Sequence, residues 1–243
     1  MPKDNFSKQA SLYAAFRPQY PSDLYTFIYK HVYTFNSAWD CATGNGQVAS
    51  VLAQKFKSVY ATDISQRQLD QANEQPNVVY KVGSAEASGL PEKVDLITVA
   101  QAIHWFDIKA FVKEAKRLSH ANTLLAFWGY GLFQVGSAID NLIFDFYDIT
   151  LGPYWDPERR LIENKYRDIE VPLVEPISKE FVFEDQWSLE TLKGYLSSWS
   201  AVQHYINKHG SNPVNEFIQQ VAPMWGEQQH VSFPIFLRVG KLK

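Results

Sequence analysis

Apolar positions along this chain follow two alternating periods. Val94-Asp95-Leu96-Ile97-Thr98-Val99-Ala100 is a strand-length apolar run, and Ser58–Ile64, Val78–Val82 and Thr123–Trp128 have the same character. Between them the spacing turns helical: Val48, Val51, Leu52 and Phe56; then Gln66–Ala72; then Ile108–Leu118 with Phe111, Val112, Ala115 and Leu118 inward. Strands that read as continuous apolar runs and alternate with helices predict a doubly wound α/β fold, its mostly parallel sheet covered by helices on both faces.

Two stretches depart from that rhythm. Residues 5–35 hold two helical patterns, one through Phe6, Ala10 and Tyr13 and one through Leu24, Phe27, Ile28 and Val32, with Pro18 and Pro21 forcing an extended link between them. Residues 131–175 open with helical spacing at Ile139, Leu142, Ile143 and Phe146, then turn to Tyr154-Trp155-Asp156-Pro157 and the charged Glu158-Arg159-Arg160, which predicts a helical cap. From 176 to 243 the pattern gives a strand at Phe181–Phe183, a helix from Ser188 through Trp199, a helix from Pro213 to Ala222 and a strand at Val231–Val239. Pro234 lacks a ladder donor, so this last strand is expected at an edge or a bulge.

The chain is organised around Ala38-Trp39-Asp40-Cys41-Ala42-Thr43-Gly44-Asn45-Gly46-Gln47, a strand running into a glycine turn and a helix. Such a turn lets a ligand approach the backbone closely and presents free N–H groups at the helix start. Gly44-x-Gly46-x-x-Ala49 satisfies the dinucleotide fingerprint. Asp40 opposes it, because a carboxylate at the strand end repels a pyrophosphate. S-adenosylmethionine, with a sulfonium, an ammonium and no phosphate, suits Asp40 better. Asp63, seventeen residues beyond Gly46 at the end of the second strand, is placed to accept from ribose hydroxyls of either cofactor. At this point a nicotinamide-dependent oxidoreductase remains an alternative, though no hydride-transfer constellation is evident.

Asp40-x-Ala42-x-Gly44-x-Gly46 resembles the first motif of class I S-adenosylmethionine-dependent methyltransferases, with Ala42 where the family usually has glycine. Gln101-Ala102-Ile103-His104-Trp105-Phe106-Asp107 resembles that family's fourth motif. Phe6-x3-Ala10-x2-Tyr13-x3-Arg17-Pro18-x-Tyr20-Pro21 is similar to the N-terminal segment of the small-molecule branch that includes trans-aconitate methyltransferases. The resemblance implies one methyltransferase domain over 1–243: N-terminal lid helices at 5–35, a cofactor core at 36–130, a substrate cap at 131–175, and a seven-stranded sheet whose last strand is antiparallel. It implies S-adenosylmethionine as cofactor. Tyr13 and Arg17 would close over it, and Asp40, Ala42, Gly44 and Gly46 would hold its aminoacyl end. Asp63 and Ile64 would meet the ribose, Ser84, Ala85 and Glu86 the adenine, and Ala100, Gln101 and Ala102 the ammonium.

Acceptor chemistry is less constrained. His104, at the end of the fourth strand, is the candidate general base, since an imidazole titrates near neutrality. Tyr20, Trp105 and Trp128 are candidate acceptor contacts. A carboxylic acid acceptor needs no base but calls for a guanidinium, and Arg17, Arg159 and Arg160 are available; Trp128, Tyr154, Trp155 and Trp199 could instead wall an apolar pocket. A binding protein on the same fold without catalysis is a third possibility. No histidine pair has ligand spacing with a carboxylate, so no metal is expected. Net charge is -3 without a basic run, which argues against nucleic acid and anionic membrane. One cysteine, no signal-like leader and no membrane-length apolar run point to a cytoplasmic monomer or homodimer acting on a small molecule.

Overall fold

The computed structural model describes residue 16 and residues 18–243. Its centre is a seven-stranded sheet in the order β3-β2-β1-β4-β5-β7-β6. β1 (Ser37–Cys41), β2 (Ser58–Asp63), β3 (Val78–Val82), β4 (Val94–Ala100) and β5 (Ser119–Tyr130) run parallel. β7 (Gln229–Leu242) is antiparallel to both of its neighbours, β5 and β6 (Leu173–Trp187). This is the mostly parallel sheet with one reversed strand that the sequence led us to expect.

Buried apolar side chains form one cluster on each face. α1 (Ser22–Tyr29) and α2 (Gln47–Leu52) cover one side with Leu24, Tyr25, Ile28, Val48 and Leu52. α4 (Ile108–Arg117) covers the other with Phe111 and Ala115. The larger of these side chains, such as Leu24, Ile28, Leu52 and Phe111, each contribute roughly 1.5–3 kcal/mol by leaving water. Local caps fix the helix starts: Ser65 accepts from the Gln68 N–H at α3 (Gln66–Leu69), and Asp107 accepts from the Ala110 N–H at α4.

Four expectations are corrected. β6 is a 15-residue strand rather than the short Phe181–Phe183, and it begins inside the segment read as cap. Its middle is largely exposed, with Lys179, Glu180 and Glu184 on an edge strand, so it carries little apolar signal. Pro234 lies in an interior strand, not at an edge. Its carbonyl accepts from the Gly131 N–H, and since residues so paired use the same side of the strand for both groups, its missing donor faces the position just past the end of β5. The expected helix 188–199 is α7 (Leu189–Ser197), which stops two residues early, and a further helix that the pattern did not give, α8 (Ser200–His209), follows it. The next, α9 (Pro213–Trp225), continues past Pro223 to Trp225.

The cap holds α5 (Ser137–Asp145), a π-helical turn at Phe146–Thr150, a short turn at Gly152–Tyr154, and α6 (Arg159–Glu163). No helix among the described residues is long and apolar enough to cross a membrane.

Candidate active site

β1, β2 and β4 are neighbours and parallel, so their carboxyl ends share one edge of the sheet, where doubly wound folds bind ligands. Asp40, Asp63 and Ala100 all lie at that edge. The turn after β1 is tied to β2 twice: the Thr43 N–H donates to the Thr62 carbonyl, and the Gly44 N–H donates to Asp63 Oδ2, both at 2.9 Å. The other Asp63 oxygen accepts from the Ser65 N–H.

Ala42, Gly44 and Gly46 all have left-handed backbones, with φ of 56, 58 and 78°. Ala42 therefore occupies a conformation that glycine adopts more easily, at roughly 1–2 kcal/mol. At Gly46 a Cβ would sit 2.5 Å from the Tyr80 hydroxyl, so a side chain there requires the Tyr80 ring to move as well as a left-handed backbone.

Asp40 is 1% exposed. Its oxygens accept from the Thr43 and Thr98 hydroxyls, the latter at 2.8 Å, and from the Ala49 N–H. Burial dominates these bonds and pushes the carboxyl up to about 6. Asp95, at the opposite end of β4, shows the contrast. Burial pushes it up too, but bonds from Thr34, the Ser37 and Asn36 N–H groups and His120 outweigh that and leave it below the ordinary value. Asp40 has no cation beside it among the described residues. A buried carboxylate so placed, next to a cradle that a Cβ would fill, fits a ligand with positive charge and no phosphate.

The other predicted positions fall as follows. Ile64 follows Asp63 and is partly exposed. Ser84 accepts from the Ala87 N–H, and Ala85 is buried. Glu86 accepts from the Asp107 N–H at 3.1 Å, which brings the loop after β3 against the segment after β4. That loop is anchored further by Glu114, which accepts from the Ser88 N–H; the hydrogen-bonded Arg117 guanidinium holds Glu114 at about 2. Gln101 has φ 53°, and its side-chain oxygen accepts from the Tyr130 N–H at 2.7 Å. That bond fixes the chain reversal leading through Ala102 into the short helical turn Ile103–Trp105. Tyr13 and Arg17 lie outside the described residues.

His104 is buried, and its Nδ1 lies 2.9 Å from the Tyr166 hydroxyl. Trp105 packs beside it with ring centroids 4.8 Å apart. Both line a cavity of about 40 Å³ together with Gln101, Trp155, Arg159 and Trp199. The Arg159 guanidinium lies 4.8 Å from the Trp155 ring centroid, and its Nε donates to the Tyr147 hydroxyl at 2.8 Å. Arg160 is exposed and does not line this cavity. Neither do Tyr20 and Trp128. Trp128 is fully buried, with Tyr20 and Tyr25 edge-on to it, and its indole N–H has no partner among the described residues.

Trp155 and Trp199, two of the four candidate walls of an apolar pocket, do line the cavity. Sequence reasoning missed Tyr166 as the partner of His104, and also Thr43 and Thr98 as partners of Asp40. Thr43 lay inside the glycine motif and was the one with a usable signal. Among the described residues no group of His, Cys, Asp and Glu could hold a metal ion.

A family of methyltransferase domains matches residues 39–127. A Dictyostelium discoideum protein named as a methyltransferase is 32% identical over 98% of this chain and 95% of its own length. The chain belongs to the class I S-adenosylmethionine-dependent methyltransferases. The solved structure of a type II methyltransferase from Anaeromyxobacter dehalogenans is 34% identical, with a TM-score of 0.84 over 93% of this chain and 98% of that one. A Saccharomyces cerevisiae protein named as an S-adenosylmethionine-dependent methyltransferase is 24% identical over 88% of this chain and 87% of its own. Membership decides between the two cofactors that the glycine turn admits, in favour of S-adenosylmethionine.

Proposed function

We propose that this methyltransferase acts on a small molecule bound between the end of β4 and the cap. What carries the reading is the cavity lined by His104 and Trp105 from the segment after β4 and by Trp155 and Arg159 from the cap. Its polar groups come from two segments of the chain and several of its lining side chains are aromatic, which suits a compact acceptor with one anionic group. Arg159 would take that group, since a guanidinium stacked on an indole is already oriented for a carboxylate.

In this reading Asp40 and the turn at Ala42, Gly44 and Gly46 hold the aminoacyl end of S-adenosylmethionine. The backbone at Ala100, Gln101 and Ala102 receives its ammonium, Asp63 and Ile64 the ribose, and Ser84, Ala85 and Glu86 the adenine. Tyr13, Arg17 and Tyr20 belong to a segment closing over it. When bound, the cofactor supplies an activated methyl on sulfur. The chain's own task is to hold the acceptor oxygen or nitrogen in line and exclude water. If the acceptor must lose a proton, His104 takes it. Its Nδ1 meets the Tyr166 hydroxyl, which holds the imidazole in place. A carboxylate acceptor is already ionised and uses only the positioning. The same reading treats residues 1–243 as one domain.

Turnover to S-adenosylhomocysteine across a panel of small carboxylic acids, phenols and amines tests this. Activity with an acidic acceptor, lost in Arg159→Gln through a raised KM, supports it. Equal KM in Arg159→Gln and the parent removes Arg159 from acceptor binding. Activity confined to macromolecular acceptors overturns the reading.

A further inference from the structure

We propose that Arg238, which lies on β7 outside the acceptor cavity, is a positioning residue that fixes the orientation of His104 through Tyr166 and so shifts the balance of its tautomers. The value of this for catalysis rests on the reading of His104 as a base; the positioning itself does not.

The argument begins at the end of α6. Lys165 and Tyr166 donate their N–H groups to the Ile162 and Leu161 carbonyls, both at 2.8 Å. These are the two bonds that close a helix in the Schellman pattern, which normally places glycine where Lys165 stands. Here Lys165 has φ 51°, and Tyr166 follows it at φ 57°. Two successive left-handed residues that are not glycine do not hold that shape unaided; surrounding structure must impose it.

The β6–β7 pair supplies the restraint. Arg238 Nη1 donates to the carbonyls of Tyr166 and Ile169, both at 2.9 Å, from a half-buried side chain. Two residues earlier on the same strand, Phe236 meets the Tyr166 ring edge-on with centroids 5.0 Å apart. Lys165 reaches Glu180 on β6 at 2.6 Å, an exposed pair of small worth.

So braced, Tyr166 is fully buried and stacks on His104 with ring planes 26° apart. Its hydroxyl meets Nδ1 at 2.9 Å. Which nitrogen of an imidazole carries the proton is set by the bond the other one makes. A hydroxyl either donates to a bare Nδ1 or accepts from Nδ1–H, so where the Tyr166 hydroxyl sits shifts the balance between the two tautomers, and Arg238 holds that position. Both bonds of Arg238 leave the single nitrogen Nη1.

The test reads His104 directly. The ¹⁵N shifts of its two ring nitrogens at pH 8 report the tautomer without an acceptor. One neutral tautomer is expected to dominate in the parent protein. Tyr166→Phe should give a mixture, and Arg238→Met a shift toward that mixture. Affinity for S-adenosylhomocysteine should stay within about twofold, since neither residue touches the cofactor turn. With an acceptor in hand, kcat should fall at least about tenfold in Arg238→Met, within the ~10²–10⁴ that a general base supplies. The double variant should be no slower than Tyr166→Phe alone, because the two residues act in series.

Arg238→Lys guards against failure to fold, and should shift the tautomer less and in the same direction. An unchanged tautomer in Arg238→Lys and Arg238→Met, or losses in kcat that add in full, overturns the proposal. Full activity in His104→Gln alongside a shifted tautomer in Arg238→Met sinks the base reading and leaves the positioning role standing.

Discussion

The Gly44 N–H donates to the Asp63 carboxylate across 2.9 Å, joining the turn after β1 to the end of β2. The acid proposed for ribose binding thus also shapes the turn beside it. Asp63→Ala removes both functions, and its affinity for S-adenosylhomocysteine should fall by about 1–3 kcal/mol. Asp63→Asn keeps an oxygen for Gly44 but loses the charge, so it should fold like the parent and bind with intermediate affinity. Calorimetric titration of the three proteins checks the order; three equal affinities would take Asp63 out of the cofactor site.

Asp40 makes stability depend on pH in an unusual direction. Burial raises its carboxyl from 3.8 to about 6. The folded state therefore binds a proton more tightly than the unfolded chain does. The contribution of this group is fully present below pH ~4 and is lost as pH rises through ~6, leaving a penalty on the order of 3 kcal/mol at neutral pH. Asp40→Asn should accordingly raise Tm at pH 7.5 and lose that advantage near pH 4. The same substitution should weaken S-adenosylhomocysteine binding. In the parent protein, binding that requires the ionised acid should weaken about tenfold per pH unit below ~6. Affinity independent of pH between 5 and 7 would contradict this assignment.

Ala42 offers a stabilising change. At φ 56° its side chain strains the turn. Replacing it by glycine relieves roughly 1–2 kcal/mol and returns roughly 0.5–1 in unfolded-chain entropy. A net gain of about 0.5–1 kcal/mol in urea unfolding is expected for Ala42→Gly, and a lower midpoint would show that the strain is relieved some other way.

Gly194 separates a helix effect from a site effect. It lies in α7, and a Cβ there would stand 2.5 Å from the Phe16 ring. Two residues on, the Pro18 carbonyl accepts from Gln47 Nε2, beside the glycine turn. Helix propensity alone makes Gly194→Ala stabilising by roughly 1 kcal/mol. If residues 16–20 cover the cofactor, the same change should displace them and weaken S-adenosylhomocysteine binding several-fold. A more stable protein with unchanged affinity would mean that this stretch does not close the site.

What the sequence revealed follows from where each residue gets its neighbours. β4 was legible because Val94–Ala100 is buried on both faces and shows an unbroken apolar run. Asp40, Gly44, Gly46 and Asp63 were legible because one strand–turn–helix unit and the next strand place them locally. β6 was nearly invisible, since an edge strand is selected for exposed charge rather than for apolar alternation. Tyr166, just past α6, meets His104 only through tertiary packing, and no periodicity in the cap encodes that. Trp128, expected as an acceptor contact from its position at the end of β5, is fully buried with Tyr25 of α1 edge-on to it, a neighbour the local pattern does not show.

The placement of β7 has a consequence for how the protein assembles. β7 follows β6 in the chain yet lies between β5 and β6, so β6 has no sheet partner until β7 is seated. Partners within β1–β5 lie at most 58 residues apart (Ala38 with Leu96), whereas β5 meets β7 across 105 or more (Tyr130 with Ile235), so the seating of β7 waits on closure of a longer loop. A cofactor-ready edge can therefore exist before Tyr166 is braced against His104. During folding, the chain would acquire the capacity to hold its methyl donor ahead of the ability to spend it.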